Sequence, residues 1–152
     1  MGNRRPKKET PAARPRSEII FYTIAALIAL LGLAEATYLT VSHLTGETVV
    51  CGGAAGCSQV LGSKYAHIGS IPLASFGALA YYCAFGTATF AAFGYARARK
   101  FFALVVAVMF LVTLWLLFVQ AFLLHAFCQY CLFSAAMIFL LAGIAISRPV
   151  SD

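Results

Sequence analysis

Residues 101–124 read FFALVVAVMFLVTLWLLFVQAFLL, without one charged side chain. A helix needs roughly 20 apolar residues to cross the hydrocarbon of a bilayer, and this stretch meets that length unaided. Three other runs do the same: Ile19 to about Val41, Pro72 to about Ala96, and Phe127 to about Ile146. Glu35 is the single charge within them. With 62% hydrophobic residues, 11% charged residues and a mean hydropathy of +0.88, the chain lies outside the composition of soluble domains. Backbone polar groups in lipid must be bonded within a helix or a closed barrel, and these runs are too long for barrel strands. The expected fold is an all-α membrane protein, a bundle of four transmembrane helices over residues 18–148. A basic, Pro-containing tail at 1–17 precedes it and is expected to be disordered.

The basic residues orient the bundle. Arg4, Arg5, Lys7, Lys8, Arg14 and Arg16 precede the first span, Arg97, Arg99 and Lys100 fall between the second and third, and Arg148 follows the fourth. Only Lys64 lies in a connection on the opposite side. The positive-inside rule then puts both termini in the cytoplasm of a multi-pass inner (plasma) membrane protein, and the connection from about His43 to Ile71 on the extracytoplasmic side, with the turn near His125–Gln129. The net charge of +6 is accounted for by this placement and by attraction to anionic lipid in the bilayer, so nucleic acid is not an expected partner. The first apolar run exceeds the 7–15 residues typical of a signal peptide and is expected to stay in place.

That topology sorts the five cysteines. Cys51 and Cys57 lie in the first extracytoplasmic connection, Cys128 and Cys131 at the start of the fourth span, and Cys83 within the second. Four thus face the compartment where disulfides persist. Cys128-Gln129-Tyr130-Cys131 is a C-x-x-C at a helix start, where the helix dipole favours the thiolate of the first cysteine. A stabilised thiolate makes a disulfide more oxidising, which suits a redox centre better than a staple. The Cys51–Cys57 pair brackets a glycine-rich turn and reads either as a shuttle disulfide or as an extracellular staple. Four cysteines could also hold zinc, but the five residues inside the first pair do not match zinc knuckles, and Leu132 after Cys131 removes the haem-attachment signature. No metal site is expected.

Other residues are read more plainly. Cys83 is expected to be a small buried hydrophobe. Glu35, as an intramembrane carboxyl, is either a proton-handling group or a hydrated or hydrogen-bonded structural one near the extracytoplasmic interface. His125 could favour the Cys128 thiolate or simply occupy an interfacial turn. Trp115 and Gln120 read as bundle packing.

Three stretches carry a family resemblance: Cys57-Ser58-Gln59-Val60-Leu61-Gly62-Ser63, the run from Pro72 to Tyr81 with Phe76-Gly77, and Phe127-Cys128-Gln129-Tyr130-Cys131. The chain from Ser17 to Ser147 resembles the vitamin K epoxide reductase family, in particular its bacterial disulfide-forming members. The order of the pairs matters, because DsbB-like oxidases carry their C-x-x-C in the first loop. The resemblance implies four helices around a quinone head group with the extracytoplasmic loop capping the pocket. It implies that Cys131 faces the quinone, Cys128 exchanges with the loop pair through Cys57, and Cys51 meets a protein partner. Ser63 and Phe76 correspond to positions beside the quinone.

Two departures narrow the substrate. Animal members have a tyrosine four residues after the second C-x-x-C cysteine and an asparagine near the end of the second helix, where this chain has Ala135 and Leu73. Epoxide reduction is therefore not expected. The resemblance points to re-oxidation of a thioredoxin-fold (DsbA-like) partner with reduction of ubiquinone or menaquinone, and the partner is expected on a separate chain. A DsbA-like dithiol has a potential of about −120 mV, so its re-oxidation needs an acceptor stronger than glutathione, such as a bilayer quinone. Two other functions compete: a non-catalytic tetraspanning scaffold stapled by two disulfides, and a quinone reductase running toward hydroquinone supply.

Overall fold

The computed structural model describes residues 15–46 and 59–148. Cys51, Cys57 and most of the expected basic tail lie outside the described residues. Four membrane-spanning helices make the bundle: α1 (Arg16–Thr45), α2 (Leu73–Phe93), α3 (Ala96–Phe118) and α4 (Gln129–Ser147). A π-helical turn, Val119–Leu124, continues α3. Between α1 and α2 come a 3-10 turn, Lys64–Ala66, and a minimal antiparallel hairpin of β1 (His67–Ile68) and β2 (Ile71–Pro72).

The helices run past the apolar stretches that announce them. At 1.5 Å per residue the 30 residues of α1 span about 45 Å, so its ends reach beyond the roughly 30 Å hydrocarbon layer. Arg97, Arg99 and Lys100, expected in a connection, instead form the opening turns of α3. Their aliphatic stems tolerate a helix end while the charges reach water. The actual α2–α3 connection is Gly94-Tyr95, where Gly94 at φ 118° returns its N–H to the carbonyls of Phe90 and Ala91. Only glycine adopts that backbone cheaply. At this basic end Arg99 Nη1 lies 3.9 Å from Glu18 Oε2, and the Arg148 guanidinium lies 4.5 Å from the centre of the Phe21 ring. The termini of α1 and α4 are thus tied to the start of α3 or to each other.

The bundle is inside out compared with a soluble one. Large apolar side chains such as Leu79, Leu111 and Ile146 face outward, while Ala25, Ala29, Ala84, Ala88 and Ala91 are fully buried. Lipid is as apolar as leucine, so burying leucine gains little, and small residues that bring backbones together drive the packing instead. Cys83 is exposed on the lipid side of α2. This corrects the expectation of a buried hydrophobe: the inward stripe of α2 runs through Tyr81, Ala84 and Ala88, and Cys83 is off that stripe. The hydroxyls in the spans satisfy themselves, with Thr23, Thr37, Thr40, Thr87 and Thr89 each donating to the carbonyl four residues back.

α1 packs most extensively on α2, and Gly32 sets how closely. A methyl group at Gly32 would overlap the ring of Tyr81, which is itself buried and bonded through its hydroxyl to the Ser134 hydroxyl at 2.7 Å on α4. One ring therefore bridges three helices. Gly32→Ala should destabilise the protein by about 1–3 kcal/mol, the usual range for overpacking. Gly86→Ala, with nothing within 4 Å of the added methyl, should be neutral or slightly stabilising. Denaturant unfolding of the two variants in detergent checks the contrast.

Candidate functional site

Where α3 ends, the chain must turn back without leaving backbone groups unpaired in an apolar setting. Gln120, 3% exposed, does most of this. Its carbonyl accepts the Ala126 N–H at 3.1 Å, and its side-chain oxygen accepts the Cys128 N–H at 3.1 Å. His125 makes the reversal in the left-handed conformation, at φ 48° and ψ 34°. Cys128 is then delivered as the N-cap of α4, in extended backbone at φ −99° and ψ 124°, and Cys131 sits on the first turn.

This placement sets the chemistry of Cys128. Its side chain is fully buried, yet its pKa is lowered from the ordinary thiol value. The Cys131 thiol, donating to the sulfur, is the largest cause, and the N–H groups of Cys131 and Tyr130 at the open start of α4 add to it against the opposing effect of burial. His125 is not among these causes, so its part is the turn. The stabilisation of the reduced pair as a thiolate is complete above the ordinary thiol pKa and is lost progressively as the pH falls below it toward the lowered Cys128 pKa. A stabilised reduced form makes the corresponding disulfide a stronger oxidant.

Beside the pair is an apolar cavity of about 570 Å³, within the size range of small-molecule sites. Its wall includes Leu39, Phe76, Met109, Val112, Leu116 and Cys131. Residues 60–63, 65–67 and Pro72 line it, so the connection between α1 and α2 forms part of the pocket wall. Ser63 is in the wall, with its hydroxyl proton given to the Val60 carbonyl at 2.7 Å. Leu73 and Ala135 also line it. Of the six expected site residues, the structure brings Cys131, Ser63 and Phe76 to one cavity and sets Cys128 next to Cys131. Cys51 and Cys57 lie outside the described residues. A cavity of this size and apolar lining suits a largely apolar small molecule with a few polar atoms.

Glu35 also lines the cavity, with both carboxylate oxygens buried and, among the described residues, without a hydrogen-bond partner. Of the expected roles for this carboxyl, a hydrogen bond to another side chain is therefore not supplied by the described residues. At the cavity mouth His43 Nε2 and His67 Nε2 are 3.0 Å apart. Gln120 and the histidine pair are site features that the sequence did not mark, because neither has a motif: the partners of Gln120 lie across a turn, and the two histidines are brought together from separate elements. Among the described residues no cluster of three or more metal-ligating side chains occurs.

A membrane bundle with a thiolate-stabilising C-x-x-C opening on an apolar cavity has the make-up of a membrane thiol oxidoreductase. The vitamin K epoxide reductase family model matches residues 23–146, and the chain belongs to that family. Its members are thiol-dependent oxidoreductases that use quinones as electron acceptors. No curated protein matches the chain closely.

Alkylation of reduced Cys128 by a small reagent should be half-maximal below the ordinary thiol pKa, because only the thiolate reacts. Cys131→Ala should move that midpoint upward, since it removes the largest cause of the shift. Gln120→Leu should lower stability by about 1–3 kcal/mol, the cost of leaving the buried Cys128 N–H without an acceptor, as read by thermal unfolding.

Proposed function

We propose that this protein re-oxidises the dithiol of a separate thioredoxin-fold (DsbA-like) protein and passes the two electrons to a membrane quinone, ubiquinone or menaquinone, supporting disulfide formation in exported proteins. The observation that carries this reading is the division of the C-x-x-C: Cys131 lines the apolar cavity, whereas Cys128 is fully buried.

A soluble protein has no direct path to Cys128, so a second pair must carry the exchange. Val60 shares a buried cluster with Cys128 and is only three residues along the chain from Cys57, so a short stretch of chain links the two pairs. In the proposed sequence Cys51 forms the mixed disulfide with the partner, and Cys57 then exchanges with Cys128. Cys128 and Cys131 re-form their bond as the electron pair leaves for the quinone. The quinone supplies the two-electron chemistry. The protein's residues supply a dry pocket, with Phe76 against the ring and Ser63 near its polar edge. The Ser63 proton is already engaged by Val60, so Ser63 would contribute position more than a strong donor.

The basic asymmetry supports an orientation with both termini cytoplasmic and the cysteine end extracytoplasmic in the plasma membrane. An impermeant maleimide applied to intact cells after reduction should label Cys51 and Cys57, and a reporter fused after Asp152 should stay inside. An exported reporter would overturn that orientation.

The activity is tested by mixing the purified protein with quinone and a reduced thioredoxin-fold protein while following quinone absorbance. Cys131→Ala should abolish turnover and Cys83→Ala should retain it. Cys51→Ser should lose turnover with the protein dithiol but keep some with a small dithiol. The double variant Cys51→Ala, Cys131→Ala should accumulate a Cys57–Cys128 cross-link detectable by mass spectrometry. Absence of that cross-link, together with full protein-dithiol turnover in Cys51→Ser, would rule out the relay.

A further inference from the structure

Several polar groups of the cavity are already committed. The Ser63 proton goes to the Val60 carbonyl, the Tyr81 hydroxyl is engaged with Ser134, and the Gln120 side-chain oxygen holds the Cys128 N–H. His43 and His67 face each other at the mouth, with His67 Nδ1 3.2 Å from the Ser63 carbonyl. Glu35 alone in this set has a titratable group buried without a partner. Its charge is within electrostatic reach of Cys128, Cys131, Tyr81 and Tyr130. Among the described residues no Lys or Arg lines the cavity.

An unpartnered carboxyl in an apolar wall costs stability, and an intramembrane ionisable group retained at such a cost is a candidate for proton transfer. The reaction proposed above has that need. Oxidation of a thiolate–thiol pair releases one proton, and reduction of a quinone takes up two. We propose that Glu35 is the catalytic proton carrier of this site, taking the proton of the Cys131 thiol and delivering it to one quinone oxygen. The Cys128 thiolate and Cys131 form the S–S bond, and the two electrons of the pair pass to the quinone. Its second oxygen is protonated from water at the cysteine end. Thiolate, thiol, quinone and one proton therefore become disulfide and hydroquinone, with charge and atoms balanced.

The inference rests on the thiol:quinone reading, and the test separates the two. E35Q keeps the shape of the side chain and removes the exchangeable proton. With a small dithiol as donor, E35Q should slow quinone reduction by about 100-fold, within the range of general acid–base catalysis, while exchange of the Cys128–Cys131 pair with the small dithiol stays near the native rate. E35D should recover part of the loss. In the quinone-free protein, reducing the pair should change a carboxyl band in the infrared difference spectrum, and E35Q should lack that change. A structural role for Glu35 would not produce this signature. Native quinone reduction in E35Q, or no carboxyl change on reduction of the native pair, overturns the proton-carrier role. A native protein that reduces no quinone overturns the parent reading, and the carrier role falls with it.

Discussion

The arrangement at the cysteine end depends on one buried side chain, Gln120. A helix ending inside an apolar bundle leaves backbone groups that neither lipid nor water can satisfy. Gln120 answers that constraint twice, through its carbonyl to Ala126 and through its side chain to Cys128. The second bond fixes the backbone of the residue that caps α4. With Cys128 held there, the N–H groups of the first turn and the Cys131 thiol converge on its sulfur. The thiolate is thus a consequence of how a helix hairpin is closed, and no charged neighbour is required for it.

The cavity follows from uneven packing along the bundle. Toward the basic end, Ala25, Ala29, Ala88 and Ala91 let α1 and α2 close tightly, and Tyr22 meets Phe102 edge-on at a centroid distance of 5.7 Å. Toward the cysteine end the helices still touch at Gly32 and Ala36, and Tyr81 reaches across to bond Ser134 on α4. The space beside that bond is the pocket. Lipid provides little gain for collapsing it, because a leucine turned inward loses no more contact with water than one turned outward. A membrane bundle can therefore keep an apolar void that a soluble core of this size would tend to fill.

Much of this could be read in the sequence, for a physical reason. Membrane spans are written in composition, and the C-x-x-C is written in local spacing, so the four helices and the Cys128/Cys131 pair were legible. What depends on the angular position of a side chain around a long, uniformly apolar helix was not. Every face of α2 is apolar, hence nothing in its pattern distinguished the lipid-facing Cys83 from the buried Ala84. Gln120 looked like packing because its partners, Ala126 and Cys128, lie across a turn whose π-helical start has no sequence signature. Arg97, Arg99 and Lys100 read as a loop because charge was taken to mean connection, whereas long basic side chains can open a helix at an interface.

The same reasoning explains why Glu35 is conspicuous. The threonines of the spans cost little in lipid because each can donate to its own helix four residues back. A carboxyl has no such recourse, since the carbonyls of its own helix are acceptors and a carboxylate is one also. Glu35 must find a donor elsewhere or bear its own proton, and the Ser63 and Tyr81 hydroxyls in the wall around it are already bonded to others. A site that moves two electrons from sulfur to a quinone must also move protons through a region without bulk water. A lone carboxyl in the wall of the cavity that Cys131 also lines is the simplest group that can hold one proton in transit without adding a fixed charge to an apolar wall. That is the physical ground for assigning chemistry to it.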